Sequence, residues 1–198
     1  MAQLAPHRHL TLYAANVITV NTLKPDDRAA WESLFAGYHE FYGRPNWPQE
    51  NYDRAWQEFQ AADRMPLFEL DRGRRRRVGR RAAAGEPTAA YKATVKFEEP
   101  RMHALGARLD ERLVGIAHYL VHPSTSSADV CYLQDLFTAP DARGRGVARA
   151  LIAAVEASAR DGGCARVYWH TQAANATARR LYDQVAENRG FIQYVIQL

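Results

Sequence analysis

Two closely spaced glycines lie between a predicted strand and a predicted helix, and arginines flank them. The four residues are Arg143, Gly144, Arg145 and Gly146. The first backbone N–H groups of a helix have no partner within it, and the helix dipole makes that end positive. Glycine lets these N–H groups converge and leaves room for a ligand. The stretch therefore predicts a phosphate site, with an ordinary glycine-bearing turn as the structural alternative.

The elements on either side of this turn are predicted from residue type and period. Residues 130–137 are rich in aliphatic, aromatic and β-branched side chains, which is typical of a buried strand. The following apolar residues recur at helical spacing: Val147, Leu151, Ile152, Val155 and Ala159. A dinucleotide-binding loop is disfavoured because Arg149 occupies the position of its third glycine, and the chain has no nucleotide-triphosphate loop motif.

The spacing Arg143-x-x-Gly146-x-Ala148 resembles the signature of the GNAT superfamily of acetyl-CoA-dependent N-acetyltransferases. In that family the loop holds the pyrophosphate of coenzyme A. Three further stretches resemble family motifs in the same order: residues 135–140, Asn175-x-x-Ala178-x-x-x-Tyr182, and Arg189-Gly190-Phe191. Residues 132–136 and 169–171 are most similar to the diamine and polyamine branch and its histone/polyamine (HPA-type) relatives.

The predicted order of elements is strand, two helices, hairpin and strand, helix, strand, helix, strand. This order resembles the GNAT order over residues 17–62 and 102–198. The resemblance implies an α/β (α+β) fold, with a central mixed, mostly antiparallel sheet flanked by about four helices. We expect a single domain over residues 16–198, preceded by an extension at 1–15. The last two strands are expected at residues 165–171 and from Gly190 to Leu198.

The resemblance implies that acetyl-CoA is the co-substrate and assigns residues to it. Backbone groups of Leu136, Phe137 and Thr138 would hold the pantetheine arm and polarise the thioester carbonyl. Asn175 would hydrogen-bond the cofactor near its thioester end, with a helix N-cap as the alternative role. The pyrophosphate would be held by the loop residues, which are Arg143, Gly144, Arg145, Gly146, Val147, Ala148 and Arg149.

The catalytic residues are less completely specified. The resemblance implies that Tyr182 protonates the thiolate leaving group, although Tyr182 also falls on an apolar helix face and could be a core residue. Gln134 stands where the diamine branch has a glutamate, and glutamine cannot accept a proton near neutral pH, although it could position a water. By the two-residue period of a strand, Tyr132 and Gln134 lie on one face of the sheet and Asp135 on the other. A β-bulge would move Asp135 to the face of Tyr132, so Asp135 also stays a candidate for the general base.

Two further groups of residues stay open as alternatives. His118, His122 and His170 have suitable intrinsic pKa values for a general base, although a lone histidine in a strand is more often structural. A primary amine acceptor is implied, as a small molecule or a peptide. Its pocket would be lined by tyrosines that could equally be core residues: Tyr38, Tyr42 and Tyr132.

The charge of the chain is concentrated in one segment. Residues 71–81 contain seven arginines and one aspartate, so their net charge is +6. Because the net charge of the whole chain is +4, the remaining residues together carry −2. We expect a flexible surface insertion at about residues 71–100. The alternative function is a nucleic-acid or anionic-partner binding protein that uses residues 71–81, with residues 74–81 as the basic contact, on a catalytically degenerate GNAT fold.

Composition limits the compartment and the class of protein. Only two cysteines are present, without metal-like spacing, which favours a reduced cytoplasmic location and predicts no metal site. The chain contains no apolar run of 18 residues, so its sequence predicts no membrane span. The sequence leaves monomer and homodimer both open.

Overall fold

The structure is a computed structural model, which describes residues 17–63 and 102–198. The expected N-terminal extension at 1–15 and the arginine-rich insertion at 71–100 lie outside the described residues. So do the basic residues 74–81, and the nucleic-acid-binding alternative therefore stays a prediction.

Within residues 17–63 and 102–198, five strands form one sheet, in which their order follows the chain. The first four strands pair antiparallel, whereas the fourth and fifth pair parallel. The same two ranges contain four α-helices and two short 3-10 helices, at Pro25–Asp27 and Pro140–Ala142. The strands are β1 (Ile18–Thr22), β2 (His103–Leu109), β3 (Arg112–His122), β4 (Val130–Thr138) and β5 (Val167–Tyr168). The helices are α1 (Arg28–Phe41), α2 (Gln49–Asp63), α3 (Val147–Asp161) and α4 (Ala176–Val185). This architecture confirms the predicted fold class.

Local sequence explains where these elements begin and end. Pro25 opens the first helical turn, where its missing N–H is not needed, and Gly43 follows α1 with a φ of +73°. Asp110 and Glu111 join β2 to β3 with φ values of 49° and 65°, the left-handed pair that a two-residue hairpin turn requires.

The sheet separates two apolar clusters. One cluster joins α3 to the sheet and includes Val114, Leu133 and Leu151. The other joins α1 and α2 to the opposite face and is mostly aromatic, with Trp31 and Phe35 at its centre. This second face carries most of the predicted acceptor residues.

A β-bulge between β3 and β4 changes which residues of β4 face each cluster. His118 pairs with Asp135 and Tyr119 pairs with Leu133, so Gln134 is the additional residue. Before the bulge Leu133 belongs to the α3 cluster, and after it Phe137 belongs to the aromatic cluster. The bulge that the sequence left conditional is therefore present.

Two predicted strands differ from the structure. β5 is paired only at Val167 and Tyr168, because the chain diverges from β4 after Tyr168. The prediction of a last strand from Gly190 to Leu198 is wrong, since residues 187–198 form no helix or strand. Its large apolar side chains are exposed, from 62% at Val195 to 119% at Leu198. The residue types favour a strand, but a strand also needs a partner edge, which this segment does not meet in one chain.

None of the helices within residues 17–63 and 102–198 has the length and apolar character to cross a membrane. Across the same two ranges, no three histidine, cysteine or carboxylate side chains cluster closely enough to hold a metal ion.

Candidate active site

The glycine loop ends at the N-terminus of α3 in a conformation that glycine alone adopts readily. Gly144 and Gly146 have φ values of +74° and +88°, and Gly146 is the N-cap of α3. No side chain caps this helix. The first N–H groups of α3 therefore have no side-chain cap, which suits the phosphate site that the sequence predicts.

The three arginines of the loop have different surroundings. Arg143 is exposed, donates from Nε to the carbonyl of Thr138 at 3.3 Å, and places its guanidinium 5.9 Å from the centre of the Phe137 ring. Arg149 donates to Oε1 of Gln184 at 2.5 Å and so links α3 to α4. Arg145 is exposed. Positive charge is thus held beside the open end of α3.

The edge of β4 that faces β5 is open over most of its length. The two strands pair only at Cys131–Val167 and Tyr132–Tyr168. From Leu133 to Thr138 no described strand pairs with this edge, so its backbone groups can bond to an extended amide-bearing ligand. Oγ1 of Thr138 is buried and has no hydrogen-bond partner among the described residues. An unsatisfied hydroxyl beside an open strand edge fits a bound ligand better than an empty site.

The bulge at Gln134 turns the carboxylate of Asp135 toward α1. Asp135 is 8% exposed, and Nδ1 of His118 lies 3.0 Å from its Oδ2. Burial alone raises the pKa of Asp135, but hydrogen bonds from His118 and then from Tyr38 outweigh it and lower the pKa. The group is therefore a carboxylate at neutral pH. The bulge residue Gln134 has an exposed side chain.

Three tyrosines lie close enough to this carboxylate to feel its charge, and they are the three that the sequence assigned to the acceptor pocket. Burial, followed by the charge of Asp135 and a hydrogen bond to it, raises the pKa of Tyr38 far above its usual value. Burial and then the same charge also raise the pKa values of Tyr42 and Tyr132. The structure thus brings together an anion and three neutral phenols.

Asn175 and Tyr182 lie on the far side of this pocket. Asn175 is the N-cap of α4, because its Oδ1 accepts the N–H of Ala178 at 3.3 Å. Its side chain also hydrogen-bonds the hydroxyl of Tyr42. Burial and then Tyr42 raise the pKa of Tyr182 to about 12. The ring of Tyr182 packs edge-to-face against Trp169 at 5.3 Å. Asn175 therefore caps α4 and also links it to the tyrosine pocket.

The three candidate histidines occupy different places. His118 is buried beside Asp135, whereas His122 contacts the hydroxyl of Tyr168 at 2.9 Å. His170 is exposed, with Nδ1 3.4 Å from the hydroxyl of Tyr132. Only His118 therefore contacts the carboxylate directly.

The sequence missed His39, which is 3% exposed and stacks on Trp47 with ring centres 4.0 Å apart. Burial and then Arg44 lower the pKa of His39 to about 4, so its ring is neutral. Its position four residues after Phe35, on the apolar face of α1, is the signal that could have found it.

A groove of about 560 Å³ runs between α1 and the end of β4, and its lining includes Gly37, Phe137 and Arg143. A Cβ on Gly37 would lie 3.0 Å from the Phe137 ring, so a glycine keeps α1 close to β4 here. The groove opens at the glycine loop. The described site thus offers an anion-binding helix end, an open strand edge and a carboxylate pocket along β4.

Comparison with known proteins agrees with this geometry. Residues 31–186 match the model of the acetyltransferase (GNAT) family. A D-amino-acid N-acetyltransferase of Saccharomyces cerevisiae, HPA3, is 27% identical over 182 residues, which cover 89% of each chain.

Two solved structures share the fold at lower identity. The aminoglycoside acetyltransferase AAC(6')-Iy, in complex with a bisubstrate analogue, superposes with a TM-score of 0.65 at 16% identity, over 92% of this chain and 99% of the other. The ribosomal-protein-alanine N-acetyltransferase of Brucella melitensis biovar Abortus 2308 gives a TM-score of 0.60 at 21% identity, over 92% of this chain and 100% of the other.

The chain belongs to the GNAT acetyltransferase family. It is accordingly an N-acetyltransferase with acetyl-CoA as co-substrate, which confirms the predicted family, enzyme class and co-substrate.

We expect Gly146→Asp to abolish the thermal stabilisation that coenzyme A gives the wild-type protein. A side chain at a φ of +88° strains the N-cap, and a carboxylate repels phosphate. Loss of charge-assisted hydrogen bonds predicts affinity weaker by roughly 10- to 100-fold. Differential scanning fluorimetry with and without coenzyme A measures this.

The matched control is Gly163→Asp at the other end of α3. Gly163 has a similar φ of +70° and open space around it, so it carries the same strain away from the loop. Equal loss of coenzyme A stabilisation in both variants would contradict the assignment.

Proposed function

We propose that this enzyme acetylates the primary amine of a small molecule that binds with its nitrogen against Asp135. The observation that carries the proposal is a buried, ionised carboxylate that Tyr38 hydrogen-bonds and that has two further phenols nearby, next to the open edge of β4. A carboxylate among aromatic rings suits an ammonium group, through charge and through the ring faces.

The residues predicted for the cofactor suit the acetyl-CoA half of the reaction. Backbone groups of Leu136, Phe137 and Thr138 would hold the pantetheine amides and polarise the thioester carbonyl. The N–H groups at residues 147–149 and the charge of Arg143 and Arg145 would hold the pyrophosphate. The thioester would then lie between Asp135 and Tyr182.

On the acceptor side, the ammonium must lose a proton before its nitrogen can attack. Because its pKa is lowered, Asp135 is a good counter-ion for the ammonium group but a weak base for accepting its proton. We assign Asp135 to binding and orienting the amine. Gln134, exposed at the bulge, would hold the water that carries the proton to solvent.

On the donor side, the attacking nitrogen forms an amide bond to the acetyl carbon, and the carbon–sulfur bond breaks. The sulfur leaves as a thiolate that needs a proton, and the nitrogen releases its second proton, which balances the one that the thiolate takes and restores the acid. Tyr182 is a neutral phenol throughout the physiological pH range, since its pKa is raised to about 12. We therefore retain Tyr182 as the general acid.

Arg44 favours one class of small amine. Its positive charge opposes the rise in the pKa values of Tyr38 and Tyr42 and adds to the fall in the pKa of His39, so it lies at the α1 side of the pocket. A cation on this side of the pocket suits an acceptor that carries its own anionic group, such as an amino acid. It disfavours a polyamine, whose second ammonium would be repelled.

A cytoplasmic location is part of this proposal. Both cysteines, Cys131 and Cys164, are free thiols, which suits a reducing compartment.

An acceptor panel tests the function. Amino acids of both configurations, polyamines, aminoglycosides and peptide N-termini are offered with acetyl-CoA, and release of the coenzyme A thiol is followed. We expect free amino acids to be acetylated with the highest kcat/KM. No acetylation of any primary amine would contradict the proposal.

For the best acceptor, we expect Asp135→Asn to lower kcat/KM by roughly 10- to 100-fold, because a charged hydrogen bond is lost. The Kd of acetyl-CoA should stay within about twofold. Asp129→Asn, at an exposed position just before β4, is the control that removes the same charge outside the pocket. Equal activity of both variants would exclude Asp135 as the acceptor's counter-ion.

We expect Tyr182→Phe to lower kcat by about 100-fold while the Kd of acetyl-CoA stays nearly constant, because general acid catalysis supplies a factor of that size. Tyr52→Phe removes a buried hydroxyl from the aromatic cluster and serves as the control. Single-turnover rates at saturating substrates measure the effect. Unchanged turnover would remove Tyr182 from the mechanism.

We further infer a homodimer in which residues 191–198 of each copy pack on the other. Residues Ile192, Tyr194, Ile196 and Leu198 would share one face of an extended segment, and all are exposed in the single chain. β5 pairs with a strand on one side only, and α4 has no fully buried residue among those described. One chain thus has both an uncovered edge and a segment that could cover it, which suits a reciprocal exchange.

We expect Ile192→Lys with Ile196→Lys to convert the dimer to a monomer of 22.4 kDa. The control, Gln193→Lys with Gln197→Lys, adds the same charge on the alternate face and should stay dimeric. Light scattering after gel filtration measures the mass. A monomeric wild-type protein would overturn the inference.

A further inference from the structure

A hydrogen-bonded chain of three buried side chains leads from α1 to Asp135. Nε1 of Trp31 lies 2.9 Å from Nε2 of His118, and Nδ1 of His118 lies 3.0 Å from Oδ2 of Asp135. Trp31 and His118 are 0% and 1% exposed. We propose that Trp31 fixes the tautomer of His118, and that His118 is a positioning residue for the Asp135 carboxylate in acetyl transfer. This inference rests on the role of Asp135 in the proposed function.

Elementary hydrogen-bond chemistry assigns the protons. The indole N–H of Trp31 can only donate, so Nε2 of His118 must accept with its lone pair. A neutral imidazole has one donor and one acceptor nitrogen, which leaves the proton on Nδ1. That proton is then donated to Oδ2 of Asp135. The histidine stays neutral, and the carboxylate keeps its full negative charge.

The packing of His118 holds this arrangement in place. The ring stacks on Phe59 with centres 4.7 Å apart, and Phe35 meets it edge-on at 4.7 Å. His118 and Asp135 are also register partners beside the bulge. The imidazole therefore approaches Asp135 along the sheet and contacts Oδ2. It does not occupy Oδ1, where the acceptor amine would bind.

The indole N–H is the group that keeps the histidine uncharged. Protonating Nε2 would set two N–H groups against each other at 2.9 Å. An imidazolium would neutralise Asp135 and weaken its hold on an ammonium. The titratable groups that face Asp135 come from α1, β3 and β4: Tyr38, His39, Tyr42, His118 and Tyr132. The tyrosines have raised pKa values and His39 a lowered one, so His118 is the group that the Trp31 bond controls.

The first test is the pH profile of Trp31→Phe, which keeps an aromatic ring and removes the N–H donor together with part of the indole; its thermal unfolding is compared with that of the wild-type protein. We expect kcat/KM of this variant to gain an acid limb, because Nε2 of His118 can then take a proton without meeting the indole N–H. The wild-type enzyme should show no such limb. Identical profiles for the two proteins would overturn the proposal.

The second test divides the two bonds of His118. His118→Asn keeps a donor near the Nδ1 position, whereas His118→Gln reaches toward the Nε2 position and serves Trp31. We expect His118→Asn to keep kcat/KM within about threefold and His118→Gln to lose roughly tenfold or more. Thermal unfolding of both reports on folding. Equal loss in two equally stable variants would indicate a merely structural residue.

A third measurement needs no activity. Long-range ¹⁵N–¹H spectra of protein labelled in its seven histidines, assigned with His118→Asn, report the His118 tautomer. We expect the proton on Nδ1 from pH 5 to 8, and a proton on Nε2 would overturn the proposal. If no amine were acetylated but the spectrum showed the proton on Nδ1, the proposed function would be wrong, whereas the assignment of the His118 tautomer to the Trp31 hydrogen bond would be supported.

Discussion

Placing an ionised carboxylate inside a protein costs several kcal/mol unless charge-assisted hydrogen bonds replace its water. The site of this enzyme is organised around that constraint at Asp135. His118 supplies one bond from β3 and Tyr38 supplies another from α1. Each partner is fixed by the aromatic cluster that α1 and α2 build on the sheet. The packing of this face is thus also the scaffold of the acceptor pocket.

A single strand connects this pocket to the cofactor loop. Along β4 the chain passes the bulge at Gln134, the open edge to Thr138, and then the loop that ends at Gly146. In the proposed reaction, the donor and acceptor halves would therefore be held by neighbouring residues of one strand and its loop, which favours a fixed distance between them. α4 is linked to both parts of the site. Its N-cap residue Asn175 contacts Tyr42, and its residue Gln184 accepts a hydrogen bond from Arg149 of α3.

The sequence predicted the fold well because most of its signals are local. Apolar period, proline at a first turn and glycine at a helix end identified α1, α3 and the hairpin. It also placed Tyr38, Tyr42 and Tyr132 in one pocket. The sequence could not show on which face of the sheet the Asp135 side chain lies, because this depends on how β3 pairs with β4. For the same reason it could not join Trp31 to His118, 87 residues apart. The prediction of a last strand was wrong because the residue pattern does not show whether a neighbouring strand is available for pairing.

A crystal structure of the enzyme with coenzyme A and the best acceptor amine would show where the amine binds. We expect the acceptor nitrogen within hydrogen-bond distance of the Asp135 carboxylate, with Oδ2 still held by His118 and the pyrophosphate at the N-terminus of α3. An acceptor nitrogen bound away from Asp135, with that carboxylate facing only protein groups, would contradict it.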